Sequence, residues 1–295
     1  MSEQQSLHPS SGTRFASRVR RCAAYVPAPT QNLLLAALPL EDYRRLSPAL
    51  VHVPLPLGLT LYKAGAREKD LYFLASGIVS RVCMMKGISM QFAITGNEGV
   101  IGVASFLGGG STLSETVVLS PGHAYLLSAD LVQDEFERYD ALPRLLLRYT
   151  QALITQTGQS AVCNQHHSLE QRLCRWILSC LDRLPAGELA ITQAAIGNLL
   201  GARREGITAA VAGLQREGLI RCRRGHIAVL DLRQLEARAC ECYAVVKREY
   251  ARLLPEDRVR QSIMHPDLPK AGVLETGIEH LRGSPNGLGA VCGAA

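Results

Sequence analysis

Several absences narrow this chain early. None of its apolar runs is long enough to span a bilayer and there is no signal-peptide core, so neither a membrane protein nor a secreted one is expected. Its nine cysteines are odd in number and scattered, unlike the spacing of a disulfide framework. A protein of a reducing cytoplasm is the expectation. Also missing are a Gly-x-Ser-x-Gly elbow, an HExxH helix, a P-loop lysine and a pair of acids in an obvious loop context. No catalytic residue is therefore assigned, and the chain is not expected to be an enzyme. The net charge of +6 is modest; it favours an anionic partner without requiring one, so the local clustering of arginine matters more than the total. With 295 residues, 47% of them hydrophobic, the chain has material for two cores.

The most informative stretch runs from Leu189 to Asp231. Thr192 is suited to cap a helix in which Ile196, Leu199 and Leu200 share one face, and Gly201 ends it. A second helix follows at once, with Ile207, Ala210, Val211 and Leu214 at i, i+3, i+4 and i+7, a stripe committed to the core. Its opposite face carries Arg203, Arg204, Glu205, Thr208, Ala212 and Gln215. After Gly218, Leu219 and Ile220 return to the core, and Arg221, Arg223 and Arg224 surround a turn at Gly225 before a strand from Ile227 to Leu230. Two helices across a tight turn and a basic hairpin outline a winged helix-turn-helix. Guanidinium suits both ends of it, because its planar fork grips a guanine edge or pairs with phosphate oxygens. Contacts to double-stranded DNA are accordingly assigned to Thr192, Gln193, Arg203, Arg204, Glu205, Thr208, Arg221, Arg223 and Arg224.

Upstream, residues 1–29 are rich in Ser, Gln and Arg and read as a flexible arm. From Val51 to about Leu131 short apolar runs are punctuated by glycine, as in a small antiparallel barrel, with Lys86-Gly87 as a hairpin turn. The loop from Gly99 to Gly110 either shapes turns or cradles a phosphate through backbone amides. From Ala141 to about Gln165 a long helix carries a stripe of Leu142, Leu145, Leu146, Tyr149, Leu153 and Ile154, continued by Thr157 and Ser160 and expected to pair with its twin in a homodimer. A further helix, Leu169 to Leu184, opens the C-terminal domain. A last one is expected from Leu232 to Leu254, and residues 255–295 read as a disordered tail. Cys240 and Cys242, two apart on that last helix, would point to different faces and chelate a metal poorly unless the helix breaks there. Structural thiols are expected, no metal site is assigned, and a redox role helped by Arg238 is the alternative.

This order of parts resembles the Crp-Fnr superfamily of bacterial transcription regulators. The likeness covers roughly residues 30–250 and is carried by GARREGITAAVAGLQREGLI, by RLCRWILSCLDRL, and by LPLGLTLYKAG and GNEGVIGVASFLGG. It implies an α+β fold: an antiparallel barrel of cyclic-nucleotide-binding type over 30–140, a dimerisation helix over 141–167 and a winged helix-turn-helix over 168–254. It further implies a near-palindromic operator, a small effector of unknown identity and RNA polymerase as a partner. By similarity, Arg204 donates to guanine and Glu205 accepts from a cytosine amino group. Arg203 replaces the family's capping hydroxyl, and Gly206 and Ala209 occupy frequent polar positions, so the preferred operator is expected to differ. The family's glutamate for the ribose falls on Val103 and its arginine for the cyclic phosphate on Leu113, just before Ser114. A buried phosphate without a cation is costly, so cAMP and cGMP are not expected to bind in the family's manner. The clustered cysteines of the iron–sulfur branch are absent, with Cys22, Cys83 and Cys163 far apart, and no cofactor is assigned. Cys83, His123, His166 and His167 stay open as haem ligands. A regulator that senses redox state or metal through its cysteines is the alternative reading.

Overall fold

The computed structural model describes residues 26–85, 88–184, 188–223 and 225–254. Most of the expected arm, the Lys86-Gly87 turn, Arg224 and the expected tail lie outside the described residues.

A short helix α1 (Leu33–Ala36) opens the fold, capped by a buried Asn32 that accepts from the amides of Leu34 and Leu35. The same side chain donates to the carbonyls of Leu74 and Gly99 at 2.9 and 2.8 Å, so its polar atoms are satisfied although it is fully buried. Helix α2 (Leu40–Leu46) leads into an antiparallel sheet of β1 (Val51–Leu55), β2 (Thr60–Tyr62), β3 (Asp70–Met85), β4 (Ile88–Thr95), β5 (Val100–Ile101) and β6 (Glu115–Ser128). The order is β1-β6-β3-β4, with β2 on β6 and β5 on β3. The long pair β3 and β6 shifts register three times between Leu74 and Val79, and such bulges bend a sheet. Side chains alternate about it. Leu55, Tyr62, Leu74, Val79, Ile101, Val118 and Ala124 form one core, while Leu71 and Phe73 join the helices.

Helix α3 (Ala129–Arg138) starts on a Ser128 cap and is followed by the 26-residue α4 (Ala141–His166). The stripe expected to face a second chain is turned inward instead. Leu142, Leu145, Leu146, Tyr149 and Leu153 are at most 9% exposed and pack with Leu34, Phe73, Val100 and Tyr250 of the same chain. The reason is the unpaired edge of the sheet: Gln156 accepts from the Ile94 amide at 2.9 Å, Tyr149 Oη lies 2.9 Å from Thr95 Oγ1, and α4 covers β4. Gly99 permits the closest approach, since a Cβ there would meet the Tyr149 ring at 2.2 Å. The glycine-rich loop thus serves packing at this point. Of the expected stripe only Ile154 stands on the exposed ridge of α4, which otherwise consists of Leu147, Gln151, Gly158, Ala161 and Gln165.

The C-terminal part consists of α5 (Leu169–Leu181), β7 (Glu188–Ala190), α6 (Gln193–Leu200), α7 (Arg204–Arg216), β8 (Ile220–Arg223), β9 (His226–Val229), α8 (Leu232–Arg238) and α9 (Cys242–Leu253). Its small sheet runs β7-β9-β8. A capping box of Ser168 and Gln171 begins α5, whose Leu173, Trp176, Ile177 and Cys180 form a second core with Ile196, Ile207, Val211 and Leu214. That core also takes in Ile78 and Ile94 of the first sheet, so the two parts are packed together; Trp176 Nε1 donates to Gln91 Oε1 at 2.5 Å across the boundary. The single last helix expected from Leu232 to Leu254 is two helices: Ala239 is extended, ψ 154°, and α9 restarts at Cys242. Among the described residues no helix is long and apolar enough to cross a membrane.

Candidate nucleic-acid interface and neighbouring sites

Helix α6 is capped as the sequence requires, with Thr192 Oγ1 accepting from the Ala195 amide at 3.2 Å. Gly201 closes it in the left-handed region, φ 59°, where a side chain would be strained. Only Ala202 and Arg203 separate that turn from α7, and the Arg203 side chain makes no capping bond. Ile207, Val211 and Leu214 hold α7 to the core at no more than 1% exposure, which leaves Arg203, Arg204, Glu205 and Thr208 turned outward. Thr208 Oγ1 donates to Gln193 Oε1 at 3.0 Å and so joins the start of α6 to α7. Gly206 faces the other way: a Cβ there would meet Leu169 Cδ2 at 2.9 Å.

In the hairpin, Ile220 is buried and Arg221 and Arg223 are exposed, the alternation of a strand with one face on a core. The Ile191 amide donates to the Gly225 carbonyl at 2.6 Å and holds the hairpin turn against the entrance of α6. The structure therefore presents Thr192, Arg203, Arg204, Glu205, Thr208, Arg221 and Arg223 on exposed positions of three elements, α6, α7 and β8, and half-buries Gln193, while Arg224 lies outside the described residues. A cationic helix start beside a cationic hairpin is a surface for a phosphate-lined groove.

A second feature escaped the sequence. A cavity of about 640 Å³ opens between the first sheet and α4, lined among others by Phe92, Val103, Leu153 and Ile154 and by the polar Thr112 and Ser114. Arg81 also lines it, 3% exposed, with one guanidinium nitrogen donating to the Val100 carbonyl at 3.0 Å and its Nε without a partner among the described residues. The position expected to hold the family's arginine, Leu113, is 87% exposed and takes no part. The cavity thus contains a cation, delivered by β3 instead of by the loop. Glu68 is buried nearby. Its Oε2 accepts from the Ala104 amide at 2.7 Å, its Oε1 has no described partner, and burial raises its carboxyl above the usual range against the pull of that amide and the Arg81 charge. An arginine in the apolar run IVSRVCMM was the available signal.

The third feature joins residues far apart in sequence. Cys163 and His167 at the end of α4 meet Cys240 and Cys242 at the break between α8 and α9, with all four donor atoms within 4.8 Å of one another. The contact with Cys240 and the charge of Arg175 favour the Cys163 thiolate, while burial opposes it. Arg238 is engaged elsewhere, on Glu170 and Glu217 at 3.0 and 2.5 Å. The remaining haem candidates are dispersed: Cys83 and His166 are exposed, and His123 stacks on His52.

A winged helix-turn-helix thus follows an antiparallel sheet and a long helix. Residues 171–238 match the family model of the Crp-like helix-turn-helix domain. Among solved structures the chain is similar to FixK2 from Bradyrhizobium japonicum, at 17% identity over 65% of this chain and 98% of that one, TM-score 0.56. It is also similar to CLP of Xanthomonas campestris, described as a c-di-GMP-responsive global regulator, at 18% identity over 65% and 100%, TM-score 0.54. A CRP-family transcriptional regulator from Thermus thermophilus matches at 20% over 63% and 96%, TM-score 0.53. No curated protein matches by sequence. The chain carries a Crp-like helix-turn-helix domain, and its overall fold is similar to those of these structures.

Proposed function

We propose that the chain is a homodimeric, sequence-specific DNA-binding transcription regulator of Crp-Fnr type whose sheet domain receives a small anionic effector. Residues 30–140 then form the effector domain, 141–167 the pairing helix and 168–254 the DNA-binding domain, acting in the cytoplasm with RNA polymerase as a further partner. The observation that carries the reading is the outward face of α7, with Arg203, Arg204, Glu205 and Thr208 exposed beside Arg221 and Arg223 of the hairpin. Placed in a major groove, Arg204 reaches a guanine edge and Glu205 a cytosine amino group, while the hairpin arginines lie on phosphates. Pairing falls to the exposed ridge of α4, whose Leu147, Gln151, Ile154, Gly158, Ala161 and Gln165 follow a four-three spacing. Half-sites roughly 34 Å apart would suit such a dimer.

Selection of bound duplexes from a random library tests the reading directly. Arg204→Ala is expected to cost about 1–3 kcal/mol of operator affinity and to relax preference at one base pair per half-site. An equal loss on every sequence would reduce Arg204 to a phosphate contact, and no preference among duplexes in the unaltered protein would end the proposal.

The anionic effector rests on Arg81, a buried charge facing an open cavity. Removing Glu68 and Arg81 together, as Glu68→Leu with Arg81→Met, is expected to leave stability unchanged or to raise it by about 1–4 kcal/mol, as exchanging buried charges for apolar groups does. A loss above about 3 kcal/mol in urea denaturation would assign the two charges to the fold and withdraw the effector.

A further inference from the structure

We propose that Cys163, His167, Cys240 and Cys242 are the four ligands of a tetrahedral zinc ion that fastens the C-terminal end of α4 to the break between α8 and α9. The inference is independent of the DNA-binding reading, since it needs none of the residues assigned to the groove.

The geometry is that of one coordination sphere. Cys163 Sγ lies 3.4 Å from Cys240 Sγ, Cys242 Sγ lies 3.5 Å from His167 Nδ1, and all four donors fall within 4.8 Å of one another. Zinc–sulfur bonds of about 2.3 Å place the sulfurs of a regular tetrahedron roughly 3.8 Å apart, so the side chains need only small adjustments to close on an ion. Local structure explains the convergence. Cys163 and His167 are four apart at the end of α4 and share a face, and Cys240 and Cys242 flank the interruption where the chain leaves helical geometry.

The surroundings favour a metal over a chance meeting of thiols. His167 directs Nδ1 to the cluster and holds Nε2 3.2 Å from Glu241 Oε1, the carboxylate–imidazole arrangement that fixes a ring with one nitrogen free to ligate. Gln159 Nε2 donates to Cys242 Sγ at 3.3 Å, and the cationic Arg175 acts on Cys163, which suits the net negative charge of three thiolates and one imidazole on a divalent ion. The three cysteines are buried. A disulfide between Cys163 and Cys240 would use two donors and leave the oriented histidine and Cys242 without a role. Three sulfurs and one nitrogen in a closed tetrahedron select zinc and mark a structural site.

The test uses the full chain, purified under reducing conditions from zinc-supplied cells and dialysed. Mass-spectrometric metal analysis is expected to find about one zinc per chain, falling below about a tenth in Cys240→Ser and in Cys242→Ser and unchanged in Cys83→Ser. Chelation of the unaltered protein lowers its Tm and zinc restores it, a readout that does not depend on the variants folding. The stripped chain, titrated with cobalt(II), takes on the ligand-field bands of a tetrahedral thiolate complex. Reduced protein without stoichiometric zinc, zinc retained in Cys240→Ser, or iron or copper in its place would each overturn the assignment.

Discussion

Replacing Arg183 by methionine is expected to destabilise the protein by about 3–5 kcal/mol, the cost of leaving a buried charge without its partner. Arg183 Nε donates to Glu98 Oε1 at 2.7 Å, with the two side chains only 8% and 2% exposed. Glu98 sits in the turn between β4 and β5 and also accepts from the Gly96 amide, so it stays buried when the arginine is removed. The arginine in turn donates to the Ser179 carbonyl and places its cationic carbon 5.8 Å from the Tyr250 ring centre. One side chain thus ties the first sheet to α5 and α9. The double variant Glu98→Gln with Arg183→Met is expected to recover most of the loss, because both charges then leave together. Urea denaturation of the three proteins decides it; a double variant as weak as Arg183→Met would mean that packing, not charge, is what Arg183 supplies.

Ile154→Glu is expected to have the largest effect on DNA binding. Ile154 is 60% exposed at the middle of the α4 ridge, with Leu147 at 50% seven residues before it. Large apolar side chains repeated at that interval on an open helix face are the seam of a two-helix pairing. A glutamate there would bring two like charges together across the seam. The protein should then sediment as a monomer, and operator affinity should fall by roughly a hundred- to ten-thousand-fold as the second half-site ceases to be held close. A dimer of unchanged strength in Ile154→Glu would move the interface off this ridge. Leu146→Glu is not an equivalent test, since Leu146 is fully buried and its replacement unfolds the chain's own core.

The parts of the molecule legible in the sequence were those whose signals are local. Thr192, Gly201 and the stripe of Ile207, Val211 and Leu214 specify cap, turn and core face within a few residues, and α6 and α7 stand where they indicate. The long helix was legible as an element but not in its orientation. Periodicity reveals that Leu142, Leu146 and Tyr149 must be covered, not by what, and α1, the first sheet and α9 of the same chain cover them. The opposite ridge, with Gln151, Gly158 and Ala161 between its large residues, gives a weaker pattern. The break at Ala239 carries neither proline nor glycine, so the helical period runs through it, and Cys163 and Cys240 meet across 77 residues of chain. Arg81 was hidden for a related reason: its strand pattern shows that it alternates with apolar neighbours, but only the assembled sheet and α4 reveal the hollow it enters.

Ile154 and Gly158 belong to two surfaces at once, for both stand on the outer crest of α4 and in the wall of the hollow beside Arg81. Any molecule lodged in that hollow therefore leans on the footing a second subunit would use, and the subunit leans back with equal force, because energetic coupling between two occupants is reciprocal. A single helical turn would serve as the hinge pin of the whole assembly.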